Sequence, residues 1–189
     1  MNKLPTISLD RLILRPFSLK DCPKIQELAG EKYVAETTLY IPHPYKDGEA
    51  ERWINTHVKD FLSKGSITLA IIDKEDRKLI GAITLGINQT YEHGEIAYWI
   101  GKQYSGKGYC TEAAKGMIQY GFEQQNLNRI YARYMDNNPA SGKVMKKINM
   151  QYEGTLRQHV KKWGVYYDLI HYGLLKSEYE PDSTSNNKF

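Results

Sequence analysis

Apolar and polar residues alternate through "TISLDRLILRPF", which predicts a strand from about Thr6 to Arg15, halted by Pro16. "SLKDCPKIQELAG" switches to a helical period. Ser18 suits the N-cap, Asp21 puts an acid where the helix dipole favours one, and Gly30 is a stop signal. A loop follows, with "YIPHPY" extended around its two prolines. "DGEAERWINTHVKDFLSKG" returns to the helical period, with Trp53, Ile54, Val58, Phe61 and Leu62 as its expected apolar stripe. "SITLAIID" and "KLIGAITLGINQT" read as strands joined by the polar turn "KEDR", and "GEIAYWIG" as a third strand. Next come a helix in "TEAAKGMIQYGFEQQN" and a strand in "NRIYARYMD". A helix in "NPASGKVMKKIN" follows, capped by Asn138 with a proline in its first turn. "QYEGTLRQHV" and "VYYDLIHYGLLK" read as an antiparallel pair turning near Trp163 and Gly164.

This order predicts a mixed α/β fold: a mostly antiparallel sheet with helices on both faces. The one strand–helix–strand crossover makes its two strands parallel neighbours. Residues 1–177 are expected to form a single domain. The polar stretch 178–189 is expected to be a flexible tail.

Composition narrows the classes. A chain of 189 residues builds one domain with a proper core. Its net charge is +4, but the basic residues are dispersed among acids, so no nucleic-acid partner is expected. No apolar run nears membrane-spanning length and the start "MNKLPTISLD" has no signal core, so a cytoplasmic protein without membrane attachment is expected. Cys22 and Cys110 make no disulfide framework, and the five histidines never fall at zinc-ligand spacing, so no metal is expected.

The stretch "GKQYSGKGY", Gly101 to Tyr109, carries the candidate chemistry. It imitates a nucleotide-binding P-loop, yet Gly108 stands where that loop needs a Ser or Thr for magnesium. A dinucleotide-binding fingerprint does not fit "GKGYCT" either. A glycine-rich turn between a strand and a helix still offers free backbone N–H groups and the positive end of the helix dipole. Gly106 and Gly108 permit close backbone approach. The residues therefore suggest a pyrophosphate held by backbone, without metal.

"QYSGKG", Gln103 to Gly108, together with "GYCTEA", "AYWIG" and "NNPAS", resembles the GNAT superfamily of N-acetyltransferases. The chain is most similar to the branch that acetylates ribosomal-protein N-termini (RimJ/RimL-type). "INMQYEG" departs from that branch at Met150 and Gln151. The resemblance implies a GNAT fold, in which the parallel pair splays apart, and acetyl-CoA as cosubstrate. After Gln103, the backbone N–H groups of Tyr104, Ser105, Gly106, Lys107, Gly108 and Tyr109 would hold the pyrophosphate. Trp99 and Ile100 would pair with the pantetheine arm, and Asn138 would hydrogen-bond it. Ser141 would lie near the sulfur and protonate the leaving thiolate. No acyl-enzyme is required, so Cys110 need not be a nucleophile.

Glu95 begins the strand that ends at the loop, and so lies near where the acceptor amine must enter. Alternation puts it on one face with Ala97 and Trp99. It is the expected proton acceptor, with Glu92 and His93 as rivals. Plainer readings stand beside these: Asn138 as a helix cap, Ser141 as a first-turn residue, Glu95 as a solvated hairpin-end glutamate. Three functions follow. The first is acetyl transfer to a protein N-terminal amine, such as that of a ribosomal protein. The second is transfer to a small-molecule amine (polyamine, antibiotic or amino sugar). The third is CoA binding without turnover. A monomer or a homodimer fits each.

Overall fold

The computed structural model describes residues 3–181. The N-terminal alternating segment folds as two short strands, β1 (Ile7–Ser8) and β2 (Leu12–Arg15), paired antiparallel. One continuous strand was expected. The chain turns at Leu9–Arg11 instead, and Leu9 N–H closes the turn on the Leu12 carbonyl at 2.9 Å. Ser18 does start the next element, first a 3₁₀ turn (Leu19–Asp21), then helix α1 (Cys22–Ala29). Asp21 folds back to accept the Ser18 N–H at 2.8 Å.

The loop expected after Gly30 contains a short helix, α2 (Lys32–Thr37). Helix α3 (Glu49–Leu62) is as predicted, and Trp53, Ile54 and Phe61 of its expected stripe pack on the cores, but the other two do not. Val58 and Leu62 are exposed, while Ala50, Ile54 and His57 point inward. The inward set follows the i, i+4, i+7 spacing of one helical face.

Strands β3 (Ser66–Asp73), β4 (Leu79–Asn88) and β5 (His93–Ile100) form the antiparallel meander. Helix α4 (Tyr109–Glu123) then crosses to β6 (Arg129–Met135), which lies parallel to β5. Helix α5 (Pro139–Lys147) leads to the hairpin of β7 (Gln151–Lys162) and β8 (Val165–Leu175). Trp163 and Gly164 turn this hairpin, both at positive φ, as a tight turn matched to strand twist requires. The eight strands lie in the order β1-β2-β3-β4-β5-β6-β8-β7. The result is the expected mixed fold with one parallel pair.

Two cores sandwich the sheet. Ile25 and Leu28 of α1 and Ala50 and Ile54 of α3 pack on Ala70, Ile72 and Leu79. Ala113 and Met117 of α4 and Met145 of α5 join the opposite layer with Leu69, Ile83 and Leu85. The expected tail lies mostly outside the described residues. Within them, Lys176–Glu178 form a 3₁₀ turn and the Tyr179 ring packs on Phe122, with centroids 5.1 Å apart.

Candidate active site

The parallel pairing of β5 and β6 is short. It runs from His93–Arg129 to Glu95–Tyr131 and stops. Beyond Glu95, β5 stays on β4 while β6 continues with β8, so a gap opens between neighbours that would otherwise share hydrogen bonds. Gly101 N–H donates to the Ile80 carbonyl on the β4 side at 3.0 Å. N–H directions alternate along an extended strand, which turns those of Ile100 and Tyr98 toward the gap.

Two cavities of about 380 Å³ each meet at this gap. One runs along the glycine loop and the start of α4, past Ile100, Tyr104, Ser105, Gly106 and Gly108. The other lies across the gap, walled by Ile41, Tyr45, Trp53, Glu95 and Arg133. Thr37, Thr38, Tyr98, Trp99, Asn138 and Ser141 line both.

The loop offers free amides, but fewer than the sequence suggested. Tyr104 and Ser105 N–H groups are already bonded to the Gly101 and Lys102 carbonyls, at 2.9 and 3.1 Å. The α4 ladder begins with Glu112 N–H on the Gly108 carbonyl at 3.1 Å. The N–H groups just before Glu112 therefore have no ladder partner. Gly106 and Gly108 sit at φ +79° and +82°, the left-handed region. A Cβ on Gly106 would point into open space. Gln103 and Lys107 are exposed and outside the cavity wall.

Side chains that the sequence did not flag hold this loop. Arg11, from the β1–β2 turn, bonds Glu112 at 2.8 Å and the Lys107 carbonyl at 3.1 Å. Tyr109 donates to Asp73 at 2.8 Å. That bond holds the Asp73 carboxyl below its usual range and raises the Tyr109 phenol. Burial pushes the Cys110 thiol up to about 12, so it is no thiolate at neutral pH.

Asn138 caps α5, accepting the Ser141 N–H at 3.2 Å, and its amide donates to the Thr37 carbonyl at 3.0 Å. Asn137 reaches the Glu36 carbonyl at 3.2 Å, and Lys162 bonds the Thr38 carbonyl. Residues 36–38 thus form a strap stapled over the gap. The His43 and Trp163 rings lie 6.0 Å apart. Ser141 is buried, its hydroxyl 3.1 Å from that of Tyr98. Glu95 shares its face with Ala97 and Trp99 and is gripped by Arg133 through two 2.8 Å bonds, with the Tyr131 hydroxyl at 3.3 Å. The structure therefore brings Trp99, Ile100, Asn138 and Ser141 to the gap, with Glu95 in the cavity beyond. Among the described residues, no His, Cys, Asp or Glu cluster could hold a metal ion, and no helix is long and apolar enough to cross a membrane.

A glycine loop with free amides, a slot between splayed strands and a second cavity beyond it together form a two-chambered site. Residues 11–151 match the family described as "Acetyltransferase (GNAT) domain", and the chain belongs to that family of acyltransferases. It is 32% identical over 179 residues to a Bacillus subtilis protein described as uncharacterized N-acetyltransferase YnaD, covering 92% of this chain and 98% of that one. It is 23% identical over 187 residues to the [ribosomal protein uS5]-alanine N-acetyltransferase of Escherichia coli, covering 93% of each. Its fold matches the ribosomal L7/L12 α-N-protein acetyltransferase RimL, solved with coenzyme A, at a TM-score of 0.83 and 15% identity. That match covers 90% of this chain and 98% of that one.

Proposed function

We propose that the protein transfers the acetyl group of acetyl-CoA to a primary amine, with a protein N-terminal α-amine, such as that of a ribosomal protein, as acceptor. The observation that carries this reading is the meeting of the two cavities at Tyr98, Trp99, Asn138 and Ser141. A thioester in the loop-side cavity and an amine in the other come face to face there, so transfer is direct and needs no acyl-enzyme. The relatives acting on ribosomal proteins support the acceptor class.

The amides of Gly106, Lys107, Gly108 and Tyr109 bind the pyrophosphate, and the gap-facing backbone of Ile100 on β5 binds a pantetheine amide, while the Trp99 amide is turned to β4. Gln103 stays outside as the start of the turn. The amine nitrogen attacks the thioester carbon, and the oxygen that becomes negative faces the Tyr98 N–H, the next β5 amide turned to the gap. The carbon–sulfur bond then breaks, its electron pair stays on sulfur, and the Ser141 hydroxyl gives sulfur its proton. Solvent re-protonates Ser141. The nitrogen's proton passes to Glu95, directly or through one water. Glu95 Oε2 accepts from both Arg133 and Tyr131, and Oε1, which accepts from Arg133 Nε, keeps a lone pair for this task. A terminal amine, with pKa about 7.7–8.0, supplies more neutral nucleophile near pH 7 than a lysine at about 10.4.

The acceptor cavity, at about 380 Å³, also favours a small-molecule amine as second reading, because its volume suits a compact ligand. A panel of N-terminal peptides, polyamines and amino sugars, followed by thiol release from acetyl-CoA, separates the two. Peptides with free α-amines should turn over fastest. Faster turnover of a free polyamine or amino sugar would transfer the assignment to small molecules. Tight CoA binding with no turnover across the panel would overturn catalysis.

A further inference from the structure

The Tyr98 phenol lies at the junction of the cavities beside the buried Ser141 hydroxyl, and its place in the reaction is open. Among the described residues its oxygen has hydrogen-bond partners only on Ser141: the hydroxyl at 3.1 Å and the backbone carbonyl at 3.4 Å. The phenol has one proton to place, and so has the serine. Two arrangements exist. In the first, Ser141 donates to the phenol, which must then send its own proton to the more distant carbonyl. The serine proton then points away from the gap. In the second, the phenol donates to Ser141 Oγ over the shorter path, and the serine proton is free to point into the junction. A phenol is the stronger donor of the two, and the second arrangement uses the shorter contact. Burial also raises the Tyr98 phenol, so it keeps its proton through the reaction rather than releasing it.

We propose that Tyr98 is a positioning residue that donates its hydrogen bond to Ser141 Oγ and thereby aims the serine proton at the leaving sulfur. It transfers no proton itself. The inference rests on the role assigned to Ser141 above. The backbone supports the geometry from both sides. Tyr98 lies on β5 opposite Ile83 of β4, and Ser141 lies in the first turn of α5, whose end is fixed by the Asn138 cap. Two rigid elements therefore hold the two oxygens at a set separation across the gap.

The test is a double-mutant cycle on Tyr98→Phe and Ser141→Ala, with peptide acceptor and acetyl-CoA. Tyr98→Phe keeps the half-buried ring and removes only the hydroxyl. Alone, it should lower kcat about tenfold while the KM for acetyl-CoA and the Kd for CoA stay within about twofold. In the Ser141→Ala background the same change should cost nothing further, because there is no hydroxyl left to aim. A merely structural role predicts equal losses in both backgrounds and a shift in KM or melting temperature, and that result overturns the inference. If Ser141→Ala alone leaves kcat intact, the serine assignment itself fails and Tyr98 has no role through it. If Ser141→Ala lowers kcat but Tyr98→Phe does not, the serine stands and only the positioning role falls.

Discussion

Replacing His57 with leucine should make the protein more stable, and more so in acid. His57 lies on the inward face of α3 at 4% exposure, with its ring edge-on to Trp53 at 4.6 Å and tilted against Phe17 at 5.5 Å. Neither ring nitrogen has a hydrogen-bond partner. An unmet buried polar group costs about 1–3 kcal/mol. Leucine removes that cost and improves helix propensity by a few tenths of a kcal/mol. It forfeits ring contacts worth about 0.5–1.5 kcal/mol. The net is a gain of about 1 kcal/mol near neutral pH, or about 2–4 °C in Tm.

Burial, opposed by the nearby Asp60, depresses the His57 pKa to about 4. The unfolded chain, near 6.5, therefore binds a proton that the folded chain refuses between those values. Stability linked to neutral His57 is complete above pH 6.5 and is lost as pH falls toward 4. The gap bounds that loss at about 3 kcal/mol, and partial solvent screening reduces it to about 2. The leucine variant lacks this term, so its advantage should grow from about 1 kcal/mol at pH 7.5 to about 2–3 near pH 4.5. Urea melts of both proteins across this range, compared at equal m-value, measure it. A variant less stable at pH 7.5, or one that loses stability in acid as steeply as the parent, would refute the reasoning.

Gly108→Val should raise the KM for acetyl-CoA at least tenfold. The residue sits at φ +82° on the loop, where a branched side chain strains the backbone by about 1–2 kcal/mol and crowds Arg11. Circular dichroism would confirm folding, and a KM within twofold of the parent's would move the pyrophosphate elsewhere. Glu95→Gln should cut kcat/KM for the amine about a hundredfold while sparing acetyl-CoA binding, with the deficit shrinking at high pH as the amine loses its own proton. Parent-like rates from pH 6 to 9 would remove Glu95 from the proton path.

Strands β3 to β6 and the closing hairpin were legible because each carries its own alternation and turn residues. The loop was legible because its glycines answer to backbone geometry alone. What escaped depends on partners far along the chain. Helix α2 has six residues and no apolar period, and side chains about a hundred positions downstream hold it. Val58 and Leu62 passed for core because their hydrophobicity fits the period, whereas the face that turns inward includes a histidine that any polarity scale places outside. Arg11 and Glu112 look like two ordinary surface charges until the fold brings them together. Alternation along β5 sets Tyr98 on the face opposite Glu95, yet only the position of α5 shows what its hydroxyl meets.

The stapled strap has a consequence for how the protein comes into being. Its three tethers join residues 36–38 to positions 101, 101 and 124 further along. During synthesis the glycine loop and its helix emerge while the strap has nothing to fasten to. The roof over the junction is completed only when Lys162, on the closing hairpin, reaches Thr38. A chain that stops short of the closing hairpin can therefore contain the whole glycine loop and still lack one of the three tethers of the strap.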